Sequence, residues 1–253
     1  MVARRERGDL RQPSYSRVAR LIAMTRIGGP GISSKNPFGP SWASGTKQAE
    51  SLGQQVQDEL FGKRKPRELD HDDAQVSALL ARLHGYKKRL ARLIGDDEDD
   101  YRLALAEGTI AMIDAHGKIF VGKRFLLGFA DALDVQVGVL AHEIGHRPKR
   151  WAEYRGAAPQ TRDDLARLCR TEETYADYFA GRALAELGLQ PEPLCQFLLA
   201  VAEQPHPEYF PAALRVDVIK DGFTDGQRKS SLRKKMFPEL AKRVSAKHDL
   251  GTG

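Results

Sequence analysis

Two histidines four residues apart flank a glutamate in the run Ala141-His142-Glu143-Ile144-Gly145-His146. On a helix, positions i and i+4 lie on one face, one turn above the other. Imidazoles so placed can hold one Zn²⁺, and Glu143 beside them can reach a water on that metal. Ile144 is free to face the core, and Gly145 lets another backbone come close. The apolar run Val135-Gln136-Val137-Gly138-Val139-Leu140 ahead of the motif points to a half-buried helix. Two histidines and a glutamate are costly there without a metal or partners. The competing reading is a chance HExxH on a solvated helix, since three fixed positions recur by accident.

A catalytic zinc needs a third protein ligand and an open position. A three-histidine site of the H-E-x-x-H-x-x-G-x-x-H kind would need His at 152, which is Ala152. Carboxylates downstream are the next candidates, and Thr171-Glu172-Glu173-Thr174-Tyr175-Ala176-Asp177 supplies them on a second expected helix. Glu173 and Asp177 share a face. One can bind metal while the other accepts the ring N–H of a ligating histidine. Glu172 competes, but the residue one turn on from it is Ala176, which can orient nothing. Glu173 is therefore the expected ligand and Asp177 the expected orienting group.

Paired in this way, HExxH and Glu173-Thr174-Tyr175-Ala176-Asp177 resemble the M48 group of gluzincin metallopeptidases, which includes the Ste24 and HtpX types. Upstream, residues 117–127 are similar to the strand that precedes the family's zinc helix. Downstream, His206-Pro207 followed by Arg215 is similar to the family's HP-x-x-x-x-R element, at a longer spacing. The likeness covers about residues 100–220. It implies a zincin-like fold, one Zn²⁺, and substrate or oxyanion contacts from His206, Tyr209 or Arg215. The membrane spans of many family members have no counterpart, because no segment approaches the ~20 apolar residues required.

The surrounding elements must position these groups. A short helix is expected over residues 16–26, a Gly/Pro-rich loop over 28–41 and a helix over 47–61. A stronger helix over 72–94 follows, stopped by Gly95, with Val76, Leu79, Leu80, Leu83, Leu90 and Leu93 on one stripe. The acidic cluster 96–100 reads as a loop. Strands are expected over 101–106, 109–115 and 118–125, the last two joined by a turn that contains His116. An edge strand beside the zinc helix can pair with an extended peptide. The zinc helix is expected over about 131–147, ended by Pro148. The Glu173 helix starts with Thr161 as its N-cap and runs to Gly188. Two more helices are expected, over 193–202 and, on the surface, over 230–244.

Composition bounds the rest. The chain has 253 residues, 41% hydrophobic and 29% charged, as expected of a globular protein with one good core. Two cysteines, Cys169 and Cys195, in no C-x-x-C arrangement suggest a reducing, cytoplasmic setting without a disulfide framework. Residues 1–70 carry 13 basic and 7 acidic side chains and residues 214–253 carry 10 and 5, so the net acidic middle lies between two basic ends. No aromatic residues interleave with the basic ones, which argues against a nucleic-acid partner.

Three regions follow: a basic N-terminal segment with its linker (1–70), a metallopeptidase domain (71–225) and a basic tail (226–253). The expected fold is α+β, mostly helical, with a small, mainly antiparallel sheet and two zinc-bearing helices packed together. The expected function is zinc-dependent endopeptidase action on a protein or peptide substrate, with Glu143 as general base. Residues 1–45 are expected to fold back over the acidic domain and restrict its cleft. The alternatives are a zinc-bearing scaffold that cleaves nothing and a polyanion-binding protein that uses its basic ends.

Overall fold

The computed structural model describes residues 65–70, 73–147, 161–201 and 209–236. The expectations for residues 1–64, for Pro148, for His206-Pro207 and for the tail beyond Met236 lie outside them. The fold is α+β, mostly helical, with a four-stranded mixed sheet.

Helix α1, Ala74–Ile94, begins where Asp73 accepts hydrogen bonds from the backbone N–H groups of Gln75 and Val76 at 2.8 and 3.2 Å. Such a cap satisfies donors that the first turn leaves without partners. Its apolar stripe is buried against the sheet and the central helix. The acidic cluster is not an irregular loop but a 3₁₀ turn, Glu98–Asp100, capped by Asp97.

The sheet is formed by β1, Arg67–Glu68, β2, Arg102–Glu107, β3, Ala111–Ile113, and β4, Lys118–Gly122, in the order β1-β2-β4-β3. It is mixed: β1–β2 and β3–β4 pair antiparallel, and β2 and β4 pair in parallel, Leu103 opposite Ile119. Residues 108–117, with β3 inside them, act as the crossover that a parallel pair requires. The β3–β4 hairpin is antiparallel, and Asp114 ties its turn by accepting the N–H groups of His116 and Lys118. That arrangement leaves β3 at the sheet's edge.

The strand expected to reach residue 125 stops at Gly122, and helix α2, Lys123–Gly128, follows. The core explains the switch. Helical spacing brings Phe125 and Phe129 to one side, 5.3 Å apart, where both rings meet Phe197 at 5.7 and 5.2 Å. Continued as a strand, Phe125 and Phe129 would share a face but stand roughly 13 Å apart, too far for that contact.

The central helix α3, Leu133–Gly145, is buried along nearly its whole length. Helix α4, Arg162–Leu187, packs across it and is capped by a reciprocal pair of bonds between Thr161 and Asp164. Helix α5, Glu192–Val201, and helix α6, Ala212–Met236, complete the described fold. Only residues 230–244 were expected to form a final helix. In fact α6 starts at Ala212 and runs unbroken through residues 225 and 226, where the sequence suggests a tail begins.

Glycines that look like helix breakers explain that extension. A Cβ added at Gly222 would lie 2.1 Å from the backbone oxygen of Tyr178 on α4, so the two helix backbones touch there. Gly222→Ala is expected to destabilise the protein by about 1–3 kcal/mol through overpacking. Gly85→Ala on α1 meets open space, so it should stabilise by about 0.5–1 kcal/mol. Thermal melts of the two variants must move in opposite directions.

Candidate metal centre

The centre forms where α3 and α4 come into close backbone contact. A Cβ at Gly145 would stand 2.7 Å from the Cα of Ala176, so glycine here sets the separation of the two helices. The contact places the last turn of α3, with His142 and His146, opposite the stretch of α4 that carries Glu173 and Asp177.

The four side chains form one connected group. Nε2 of His142 lies 3.2 Å from Nε2 of His146 and 3.4 Å from Oε2 of Glu173. Nε2 of His146 lies 3.7 Å from Oε1 of Glu173. These ligand atoms all fall within 4.8 Å of one another. A tetrahedral ion with metal–nitrogen bonds of about 2.0–2.1 Å needs its donors roughly 3.3 Å apart, which this set matches. Two imidazoles and one carboxylate are also a donor set suited to zinc. His142 turns its other ring nitrogen, Nδ1, to Oδ1 of Asp177 at 2.9 Å, which directs Nε2 towards the shared point.

Arg215 on α6 closes the group from the far side. Its Nε and Nη2 donate to Asp177 at 2.7 and 3.0 Å, and Nη2 also donates to Glu173 at 2.9 Å. The guanidinium stacks over the ring of Tyr209, 5.3 Å from its centroid. Arg215, one of the residues named from the resemblance for substrate or oxyanion contact, is thus turned onto the two carboxylates. Glu173 and Asp177 are buried, so a fixed cation is what lets both remain charged.

Glu143 is different. It is buried, receives a backbone hydrogen bond from Ile113 of β3, and its Oε2 has no hydrogen-bond partner. Burial pushes its carboxyl up to about 7. Burial also opposes charge on His142, but hydrogen bonds to Asp177 and Glu173 outweigh it and raise the ring to about 10. For Glu173 and Asp177, burial is outweighed by His142 and Arg215, and both carboxyls sit below their usual range.

These shifts fix the sign of a pH dependence in metal-free protein. The contribution of charged His142 is complete below about 6.5 and is lost as pH rises towards about 10. Ionising buried Glu143 acts in the same direction as pH climbs from about 4.5 through about 7. The depressed pKa values of Glu173 and Asp177 make their contributions disappear only in acid. Melting temperature in chelator is therefore expected to be highest near pH 5 and to fall steadily to pH 9. Metal-loaded protein should show a flatter profile, because ligation already requires a neutral ring.

Two features of the surroundings were not read from sequence. Asp96, in the acidic cluster, pairs with Arg147 just past α3, and Tyr101 donates to both Asp96 and the backbone oxygen of Ile144. Arg147 adopts φ 44°, an unusual value for a side-chain-bearing residue, and this clamp holds it there, next to His146. The other feature is a cavity of about 370 Å³ that opens beside Glu143 and the ligand group and extends to α5. The i, i+3, i+4 spacing of Leu194, Phe197 and Leu198 was the available signal for that wall. His116 sits in the β3–β4 turn, apart from the ligand group, as expected of a turn residue.

No protein-family model matches the chain, and no curated protein matches it.

Proposed function

We propose that this chain is a zinc-dependent metalloendopeptidase with a zincin-like centre of the M48 type. The observation that carries the reading is one buried cluster of His142, His146 and Glu173 beside a carboxylate, Glu143, whose Oε2 has no partner, on the wall of a cavity. Uncompensated burial of that kind is costly and is characteristic of a group kept for proton transfer.

His142, His146 and Glu173 would hold the metal. When bound there, zinc supplies a Lewis acid that brings the pKa of a water to ~7 and polarises a carbonyl. Glu143 takes the proton from the attacking water and returns it to the leaving amine; a carboxyl tuned near neutrality suits both directions. Asp177 holds the tautomer of His142, and Arg215 holds the charge and orientation of Glu173 and Asp177. The edge of β3 offers backbone groups to an extended peptide, next to Glu143. His206 is retained as a candidate contact from the resemblance alone. Two cysteines that form no disulfide and the absence, among the described residues, of a helix long and apolar enough to cross a membrane fit a cytoplasmic setting.

The test is metal content followed by hydrolysis of an unstructured protein. Purified protein is expected to retain about one zinc, and the His142→Ala/His146→Ala double variant none. Tyr175→Ala, exposed on the same helix, is the control and should keep the metal. Full zinc in the double variant overturns the centre; zinc without hydrolysis makes the chain a silent zinc-bearing module.

A further inference from the structure

The cavity is chemically divided. One end is the ligand group with Glu143, Asp177 and Arg215, whose charges are set against one another. The other end is formed by Val139, Ala180, Leu194, Phe197, Leu198 and Ile219, with no charge among them. Helix geometry gives the distance between the two ends. Val139 precedes His142 by three residues on α3, and Ala180 follows Asp177 by three on α4. The apolar wall therefore begins just under one turn, roughly 4.5 Å, from His142 and Asp177.

Helix α5 supplies the floor. Leu194, Phe197 and Leu198 are all more than nine-tenths buried, yet they still line open volume. Leu194 sits directly on α3, because residue 138 is glycine: a Cβ there would lie 2.8 Å from Cδ2 of Leu194. Phe197 is fixed by its contacts with Phe125 and Phe129. The pocket is thus rigid and belongs to the core, whereas a surface groove would adjust to its occupant.

An extended peptide advances about 3.3 Å per residue, and its side chains alternate in direction. A wall one helical turn from the metal is within reach of the residue flanking the scissile bond and too near for residues further along. A charged side chain there would lose its water without gaining a partner, since Arg215 is turned onto Glu173 and Asp177.

Resting on the hydrolase reading, we propose that this cavity selects substrates by a large apolar side chain, Leu, Met or Phe, next to the cleaved bond. Leu194, Phe197 and Leu198 set its size. The preference belongs to the pocket and not to the metal, so it persists in protein that binds without cleaving.

Two arms test this. Wild-type protein is given a randomised peptide library. The Glu143→Gln protein is titrated with fluorescein-labelled Gly/Ser octapeptides that carry one central Leu, Phe, Ala, Asp or Lys. Both arms are repeated with Leu198→Phe, which fills the pocket, and Leu194→Ala, which enlarges it; zinc content and melting curves establish that each is folded. Cleavage should be enriched at Leu, Met or Phe by about 10–200-fold over Ala and more over Asp or Lys. Leu198→Phe should shift the preference to smaller residues and Leu194→Ala to larger ones, and one folded variant suffices to decide. Cleavage without apolar preference overturns the pocket and leaves the hydrolase reading intact. Selective binding of the Leu and Phe peptides without wild-type cleavage keeps the pocket and overturns the hydrolase. Neither cleavage nor selective binding overturns both.

Discussion

Glu143→Gln is expected to retain its zinc and lower peptide hydrolysis by about 10²–10⁴-fold, the range for removal of a general base. Gln has nearly the shape of Glu and can keep the hydrogen bond from Ile113, but it cannot accept the water's proton. The same change relieves a burial cost. The Glu143 carboxyl is pushed up to about 7 by its surroundings, so above that pH the folded protein carries an unfavourable charge. The variant should accordingly melt no lower than wild type at pH 8, and the stability lost between pH 5 and 7 should shrink. Activity assays with metal analysis and melts at pH 5 and 8 check both halves. Hydrolysis within a few-fold of wild type would remove Glu143 from the mechanism.

The second large effect is expected at a residue with no side chain to contribute. Gly145→Ala places a methyl group 2.7 Å from the Cα of Ala176, a backbone atom that moves only if α4 moves. Ala176 adjoins Asp177 and follows Glu173 by three residues, so a shift of α4 carries the ligand and its neighbour away from the histidines. Disturbing the supports of a metal site typically costs 10–100-fold in affinity, and that is the loss expected here. Competition with a chromophoric chelator measures it. Gly145→Val should be worse, and wild-type affinity in either variant would mean that the helices have slack.

That close approach was legible in the sequence, because a glycine inside a buried helical motif has few other uses. Helical spacing was also enough to bring His142, His146, Glu173 and Asp177 onto facing surfaces, and the cap at Thr161 follows local rules. The pattern failed where partners were remote. Residues 118–125 contain aromatic and β-branched residues that favour a strand, but Phe125 is claimed by Phe129 and Phe197, the latter more than 70 residues away. The parallel pairing of β2 with β4 leaves no local trace, since strand order depends on the crossover. The early start of α6 was missed because what accommodates Gly222 and Gly226, the backbone of α4, lies elsewhere in the chain. For the same reason Arg215 was legible as a residue near the centre but not as the counter-charge of Glu173 and Asp177.

The position of Arg215 also bears on how the protein is made. The ribosome delivers α3 and α4 first, so both histidines and both carboxylates are in the chain while the guanidinium is still to come. Until then only His142 and His146 offset the two buried carboxylates, so α3 and α4 are expected to settle fully only once α6 has emerged and docked. An unfinished chain carries every residue of the metal motif and still lacks a preorganised centre. On the proposed reading, the centre is therefore expected to be completed last, when α6 has been made.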